Sequence, residues 1–167
     1  MEIFGEMHVR QFFSSAGLEK RIESFAESTE NSFLAAQALG VEQGQIVKSV
    51  LFLAEQQPVL VLMSGDMNVH NKKLKSLLGV RKVKIADPDT VVAVTGFAVG
   101  GVPPVAHRRP IPTFIDASLG RFAEIYPAAG TANNMFPTTF EELARLTEAK
   151  VVDVAVPKKG LSRQRPT

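Results

Sequence analysis

Gln45-Ile46-Val47-Lys48-Ser49-Val50-Leu51-Phe52-Leu53 holds a single charge within an otherwise apolar, β-branched stretch of strand length. Such a run predicts a strand buried on both faces. Strand alternation places Lys48 with Ile46, Val50 and Phe52, and turns Val47, Ser49, Leu51 and Leu53 to the opposite side. An ammonium in that position must find a partner, be desolvated, or reach water along its own stem. Two readings follow: a strand-end lysine snorkelling to solvent, or a fixed cation in a cleft that awaits an anion.

Outward from this strand, Glu55-Gln56-Gln57-Pro58 predicts a turn and residues 59–63 a second buried strand, making a hairpin. Upstream, a helix over residues 9–16 stops at Gly17, and a short strand follows at 22–25. Ser28-Thr29 then opens a polar stretch capping a helix over 33–39 that ends at Gly40. Downstream, Asp66 or Asn68 caps a helix through Leu78, residues 82–86 form a strand, and Asp87-Pro88 starts a short helix to Val94. The lysines of the first of these helices, Lys72, Lys73 and Lys75, read as a solvated face or as phosphate contacts. Residues 113–115 make a strand ending at Asp116, 122–126 and 135–136 two more, and Thr138 or Thr139 with Glu141 and Glu142 starts a helix to Leu146. A strand over 151–155 closes the pattern. Strands outnumber helices and come in clusters, which argues for a mixed sheet with a few flanking helices and against a regular βαβ array.

The chain of 167 residues, 45% of them hydrophobic, has the size and core of one domain. It has no cysteine, so disulfides and a thiolate nucleophile are excluded, and His8, His70 and His107 lack any metal-ligand spacing, so neither a zinc site nor a cofactor is expected. With no signal-like start and no long apolar run, a soluble, cytoplasmic protein without a membrane partner is expected. The net charge of +2 conceals an asymmetry: residues 157–167 hold four of the 19 basic residues and no acid, leaving 15 basic against 17 acidic in the body. The expected organisation is therefore a domain over 1–156 and a basic, disordered tail over 157–167, serving as a solubilising end or an arm on nucleic acid.

Gly100-Gly101-Val102-Pro103-Pro104 is the second informative segment. A glycine pair lets backbone N–H groups approach a ligand closely, and the prolines stiffen the loop that aims them. Pre-aimed donors suit a carbonyl oxygen that turns negative in acyl transfer, each typically worth roughly 3–4 kcal/mol; the plainer reading is a tight turn. Phosphate-loop patterns are absent.

The order of these features resembles the YbaK/ProX family of aminoacyl-tRNA editing domains. The resemblance is carried by Ser28-Thr29, Ala35-Ala36-Gln37-Ala38-Leu39-Gly40, the Lys48 strand, Thr95-Gly96-Phe97-Ala98-Val99-Gly100-Gly101-Val102-Pro103-Pro104, Ile115-Asp116 and residues 143–155, spanning about 8–156. It implies an α+β fold with a mixed, mostly antiparallel sheet or barrel and flanking helices. It also implies hydrolysis of the ester joining a wrong amino acid to a tRNA 3′ end, an enzyme of the aminoacyl-tRNA deacylase type. By this resemblance Lys48 binds anionic oxygens near the terminal adenosine, and Gly100 and Gly101 position the carbonyl and stabilise its oxyanion. Pro104 fixes the loop, and Ser28, Thr29, Asp116 and Asn134 are candidate substrate contacts. For Ser28, Thr29 and Asn31 helix capping is the competing role, and for Asn133 and Asn134 a simple turn.

One departure stands out: many members carry Ser-Ala-Gly where this chain has Ala128-Ala129-Gly130, so a hydroxyl is missing. The expected partners are a mischarged tRNA and an aminoacyl-tRNA synthetase, with no DNA, and editing is expected in trans because no synthetase module is visible. Alanine, serine, threonine and cysteine are all candidate substrates. Two rivals remain at this stage: a non-catalytic RNA-binding or regulatory module of the same fold, favoured by Ala128, and a small-molecule ester or amide hydrolase.

Overall fold

The computed structural model describes residues 1–159. Helix α1 (Glu6–Ser15) buries Val9 and Phe13. After the short strand β1 (Glu23–Ser24), helix α2 (Ser32–Leu39) is capped by Asn31, whose Oδ1 accepts the Leu34 N–H at 2.8 Å, and it ends on Gly40 in the left-handed region. The cap is thus Asn31, while Ser28 and Thr29 instead tie this segment to the Ala132 carbonyl. A 3₁₀ turn (Gln43–Gln45) leads into β2 (Ile46–Ala54), which pairs antiparallel with β3 (Gln57–Ser64). The connecting turn is only Glu55-Gln56, both with positive φ, as a tight hairpin of right-handed twist requires. The predicted four-residue turn is therefore shorter, and Gln57 and Pro58 already belong to β3.

Strand β4 (Met67–Val69) follows the Gly65-Asp66 turn, where the sequence pattern shows only a loop. Helix α3 (Asn71–Leu78) is capped by His70, not by Asp66 or Asn68, the His70 Nδ1 accepting the Lys73 N–H at 3.3 Å. Strand β5 (Val83–Ile85) and helix α4 (Pro88–Thr95), capped by Asp87, match the sequence pattern closely. Strand β6 (Thr113–Asp116), the short β7 (Tyr126–Pro127) and β8 (Asn134–Met135), and helix α5 (Phe140–Thr147) follow. The expected closing strand is two strands, β9 (Lys150–Val152) and β10 (Ala155–Pro157), broken at Asp153-Val154. Pro157 thus lies in a strand, and the domain runs past the expected boundary at 156; Arg163 and Arg165 of the basic tail lie outside the described residues.

The main sheet runs β5-β2-β3-β6-β9, with β7 added alongside β2. Antiparallel pairing dominates through the eight-residue β2–β3 ladder, and β6, β9 and β7 join in parallel, giving the mixed α/β fold. Alternation along β2 divides the core as the sequence predicts. Val47 and Leu51 pack with α1, α4, α5 and Phe97 on one face, while Phe52 joins Met63, Leu74 and Val154, and Ile46 joins Ala35 and Met135, on the other.

One irregularity positions the site. On the edge away from β3, β2 meets β7 at Ile46 and Val47 and β5 at residues 52–54. Residues 48–50, between those contacts, have no strand neighbour on that side among the described residues, while the Leu51 carbonyl already accepts the Ala86 N–H at 2.9 Å. The sheet edge is open there for three residues, and Lys48 stands at its lip.

Candidate active site

A cavity of about 190 Å³ lies over this gap and draws its walls from four parts of the chain. Thr29, Glu30, Asn31 and Ser32 come from the approach to α2; Ile46 to Val50 from β2; Val99, Gly100 and Val102 from the glycine loop; Ala128 and Met135 from the segment around β7 and β8. The two segments singled out by sequence therefore share one cavity. A larger cavity of about 630 Å³, lined by Leu53, Lys75, Arg81 and Lys84 among others, contains neither Lys48 nor the glycine loop.

Lys48 is half-buried, and its Nζ donates to the Met67 carbonyl at 2.7 Å, with Asn68 Oδ1 at 3.5 Å. Among the described residues it forms no ion pair; Asp66 is engaged with Arg121 at 2.7 Å and Asp153 with Lys73 at 3.4 Å. Burial, reinforced by the neighbouring Lys158 ammonium, pulls the Lys48 pKa down to about 8, with Asp66 pulling the other way. The cation is thus neither snorkelling freely nor neutralised.

The glycine loop is braced on both sides. Thr95 is buried; its hydroxyl donates to the Val91 carbonyl at 2.7 Å and accepts the Phe97 N–H at 3.0 Å, and Phe97 is fully buried against Phe4. Beyond the glycines, His107 Nε2 lies 2.7 Å from the Pro103 carbonyl. Burial pushes the His107 pKa down although that carbonyl opposes it, so the ring is held neutral and donates through Nε2. Gly100 takes a φ of 93°, which suits glycine, and a Cβ there would stand 3.0 Å from the Glu30 Cβ. Its N–H has no protein acceptor among the described residues.

Gly101 has a different part. Its N–H donates to the Ala98 carbonyl at 3.0 Å, so that donor is already spent inside the turn. A Cβ at Gly101 would stand 2.8 Å from the Thr131 backbone. The residue is needed as glycine because two backbones approach there, which corrects its expected role as an oxyanion donor. Gly101→Ala is expected to destabilise the fold by about 1–3 kcal/mol through overpacking, and to impair activity by displacing Gly100. Urea unfolding beside a deacylation assay checks both effects.

Three expected contacts, and Pro104, also stand apart from the cavity lining. Asp116 is almost fully buried: Oδ1 accepts the N–H groups of Val154 at 2.9 Å and Ala155 at 3.1 Å, and Oδ2 accepts that of Ser118 at 2.9 Å. It closes the break between β9 and β10 and is absent from the cavity lining, so it is structural. Asn134 is likewise buried, donating to Glu6 at 2.8 Å and accepting the Thr131 N–H at 3.1 Å. Pro104 lines a separate surface cavity with Phe12 and His107. Ser28 is exposed and outside the lining, whereas its neighbour Thr29 is buried and within it.

Three residues enter that sequence reasoning passed over. Glu30 is the one carboxylate in the lining. Ser49 has a buried hydroxyl with no protein partner among the described residues. Lys158 reaches Ser32 Oγ at 3.3 Å from the end of β10. Only Ser49 had a local signal, a hydroxyl in an apolar run beside the lysine.

The sequence profile of the aminoacyl-tRNA editing domain matches residues 27–146, which include Lys48 and the glycine loop. The chain belongs to the aminoacyl-tRNA editing domain family. The uncharacterized protein YwhH of Bacillus subtilis is 32% identical over 148 residues, 87% of this chain and 94% of that protein. A crystal structure described as a "putative trans-editing enzyme for prolyl tRNA synthetase" superposes with a TM-score of 0.85 at 37% identity, covering 90% of this chain and 96% of the other. The "Putative Cys-tRNA(Pro)/Cys-tRNA(Cys) deacylase EbsC" of Enterococcus faecalis is 25% identical over 120 residues, 71% of this chain and 73% of that protein. As a member of the family, the chain is an aminoacyl-tRNA deacylase, a hydrolase of mischarged tRNA. Among the described residues, no helix is long and apolar enough to cross a membrane.

Proposed function

We propose that the cavity over the β2 gap takes the aminoacyl end of a tRNA mischarged with a small amino acid and hydrolyses its ester. The observation that carries this reading is that Lys48 and Gly100 line one cavity. At about 190 Å³ it falls below the roughly 300–1,000 Å³ of pockets that enclose whole drug-sized ligands. That size supports entry of the amino-acid side chain alone, with the adenosine outside. Val50, Val99, Val102, Ala128 and Met135 supply an apolar wall for a small side chain, and Glu30 an acceptor for the substrate's α-ammonium.

In this reading Lys48 holds an anionic oxygen of the terminal nucleotide and thereby fixes the ester carbonyl against the Gly100 N–H. Water adds to the carbonyl carbon, negative charge collects on its oxygen, and the Gly100 N–H stabilises it. The carbon–oxygen bond to the ribose then breaks and the ribose oxygen takes up the proton. An ester needs little more than orientation and charge stabilisation, so the absence of a histidine or cysteine from the lining is no obstacle. A synthetase releasing the mischarged tRNA is the natural second partner of an enzyme acting in trans.

The decisive assay offers tRNAs charged with alanine, serine, threonine, cysteine and proline to the full chain. Rapid hydrolysis of one mischarged species is the expected result; salt-sensitive tRNA binding with no hydrolysis of any species would replace the deacylase by a non-catalytic RNA-binding module.

Two further expectations belong to this reading. Lys48 with a pKa near 8 is charged below that pH and neutral above it. After subtraction of spontaneous hydrolysis, kcat/KM is therefore expected to fall above about pH 8, approaching tenfold per pH unit, because it reports the free enzyme. The fall in kcat should come at higher pH, since a bound anion favours the charged lysine. Ala128→Ser returns a hydroxyl to the cavity wall, and the ratio of kcat/KM for seryl- against alanyl-tRNA is expected to shift by about tenfold, the scale on which one small group discriminates.

A further inference from the structure

Composition assigns Lys158 to the basic end of the chain, but strand pairing carries it to the site. β10 lies antiparallel to β4 with Pro157 opposite Met67. One residue on, the Lys158 N–H donates to the Asp66 carbonyl at 3.0 Å, and its Nζ reaches Ser32 Oγ at 3.3 Å. Ser32 lines the cavity, and it is held in turn by Gly65 O at 2.9 Å and Gln43 Nε2 at 2.9 Å. Met67, the partner of Pro157, is also the residue whose carbonyl holds the Lys48 ammonium at 2.7 Å. Lys48 through its ammonium and Lys158 through its backbone N–H are therefore tied to adjacent residues of one turn, Met67 and Asp66, and the Lys158 ammonium, held on Ser32 of the cavity wall, adds to burial in lowering the Lys48 pKa.

Two cations held side by side repel each other, and Asp66 offsets this only in part. Asp66 turns both oxygens to Arg121, at 2.7 and 3.2 Å. Such a pair is stabilised when an anion with several oxygens bridges it. We propose that Lys158 is a second anion-binding residue of the editing site, forming with Lys48 a two-lysine clamp on the phosphate of the 3′-terminal nucleotide. The identity of the substrate in this proposal rests on the deacylase reading above; the existence of the anion site does not. Lys48 reaches the phosphate from the strand and Lys158 from the end of the domain, so the phosphate is gripped from two sides and the ester is set in register with Gly100.

The test is titration calorimetry of the full chain with adenosine 5′-monophosphate and with adenosine, at two salt concentrations. It compares wild type, Lys158→Met and Lys158→Arg, and a deacylation assay runs beside it. Lys158→Met is expected to weaken nucleotide binding about tenfold while leaving adenosine binding unchanged. It should also weaken the salt dependence of nucleotide binding, because one cation–phosphate contact is lost. In the assay, kcat/KM for the mischarged tRNA falls, mostly through a higher KM, and Lys158→Arg restores both readouts, which a merely structural lysine would not do. Nucleotide affinity and salt slope unchanged in Lys158→Met overturn the proposal. If Lys158→Met hydrolyses tRNA with the wild-type KM and salt slope, the clamp falls and the deacylase reading stands. If no species is hydrolysed yet nucleotide binding depends on Lys158, the clamp stands and the deacylase reading falls.

Discussion

Lys48→Ala is expected to lower kcat/KM for the edited tRNA by roughly 30- to 1,000-fold, the range for removing one member of a desolvated charge contact. The same change should cost little stability. In the free protein the Lys48 ammonium is half-buried and opposed by Lys158, and its main compensation is a single hydrogen bond to the Met67 carbonyl. Replacing a cation that its surroundings disfavour removes a penalty along with that bond. Urea midpoints within about 1 kcal/mol of wild type, with hydrolysis lost, are the expected pair of results. A large loss of stability would mean that Lys48 holds β4 in place and is not primarily a substrate ligand. Lys48→Arg separates charge from shape: the cation persists, but a planar guanidinium does not substitute for a point charge reaching a carbonyl and a phosphate together.

Asp116→Ala should do the reverse. Its carboxylate receives three backbone N–H groups, from Ser118, Val154 and Ala155, in a nearly dry environment. Removing it leaves one buried and two half-buried donors without partners, each buried one worth about 1–3 kcal/mol, so a loss of about 3 kcal/mol is expected. Asp116→Asn keeps one acceptor oxygen and is expected to fall between the two. Chemical denaturation measures the loss directly. A variant as stable as wild type but inactive would return Asp116 to the substrate site. β10 begins at Ala155, so its disturbance should also loosen Lys158 at the far end of that strand.

The hairpin, most helices and the two motifs were legible because their signals are local. The β2 run, Gly40 at the end of α2 and Asp87-Pro88 at the start of α4 each declare themselves within a few residues. What escaped was non-local. Strands β4 and β10 are three residues each and exist because they pair with each other across nearly ninety positions. That pairing moved Lys158 from a presumed tail to the site, and no composition argument could have done so. Asp116 and Asn134 were misplaced for a related reason. A polar residue at a strand end has the same appearance whether it serves a ligand or satisfies backbone donors, and only the partners decide. Gly101 is similar, since its need for glycine lies in the Thr131 backbone thirty residues away.

The opening in the edge of β2 has a consequence for how the protein behaves in company. Unpaired sheet edge invites a strand from another molecule, the first step of aggregation. Here the unpaired stretch is only three residues, closed at one end by β7 and at the other by β5, with a lysine at the lip. A foreign strand would be stopped before it gained a useful ladder, whereas a slender chain end can enter from above. On the proposed reading of the cavity, the geometry that keeps neighbours from sticking would also act as a size filter, admitting the tip of an acylated nucleic acid and refusing a polypeptide.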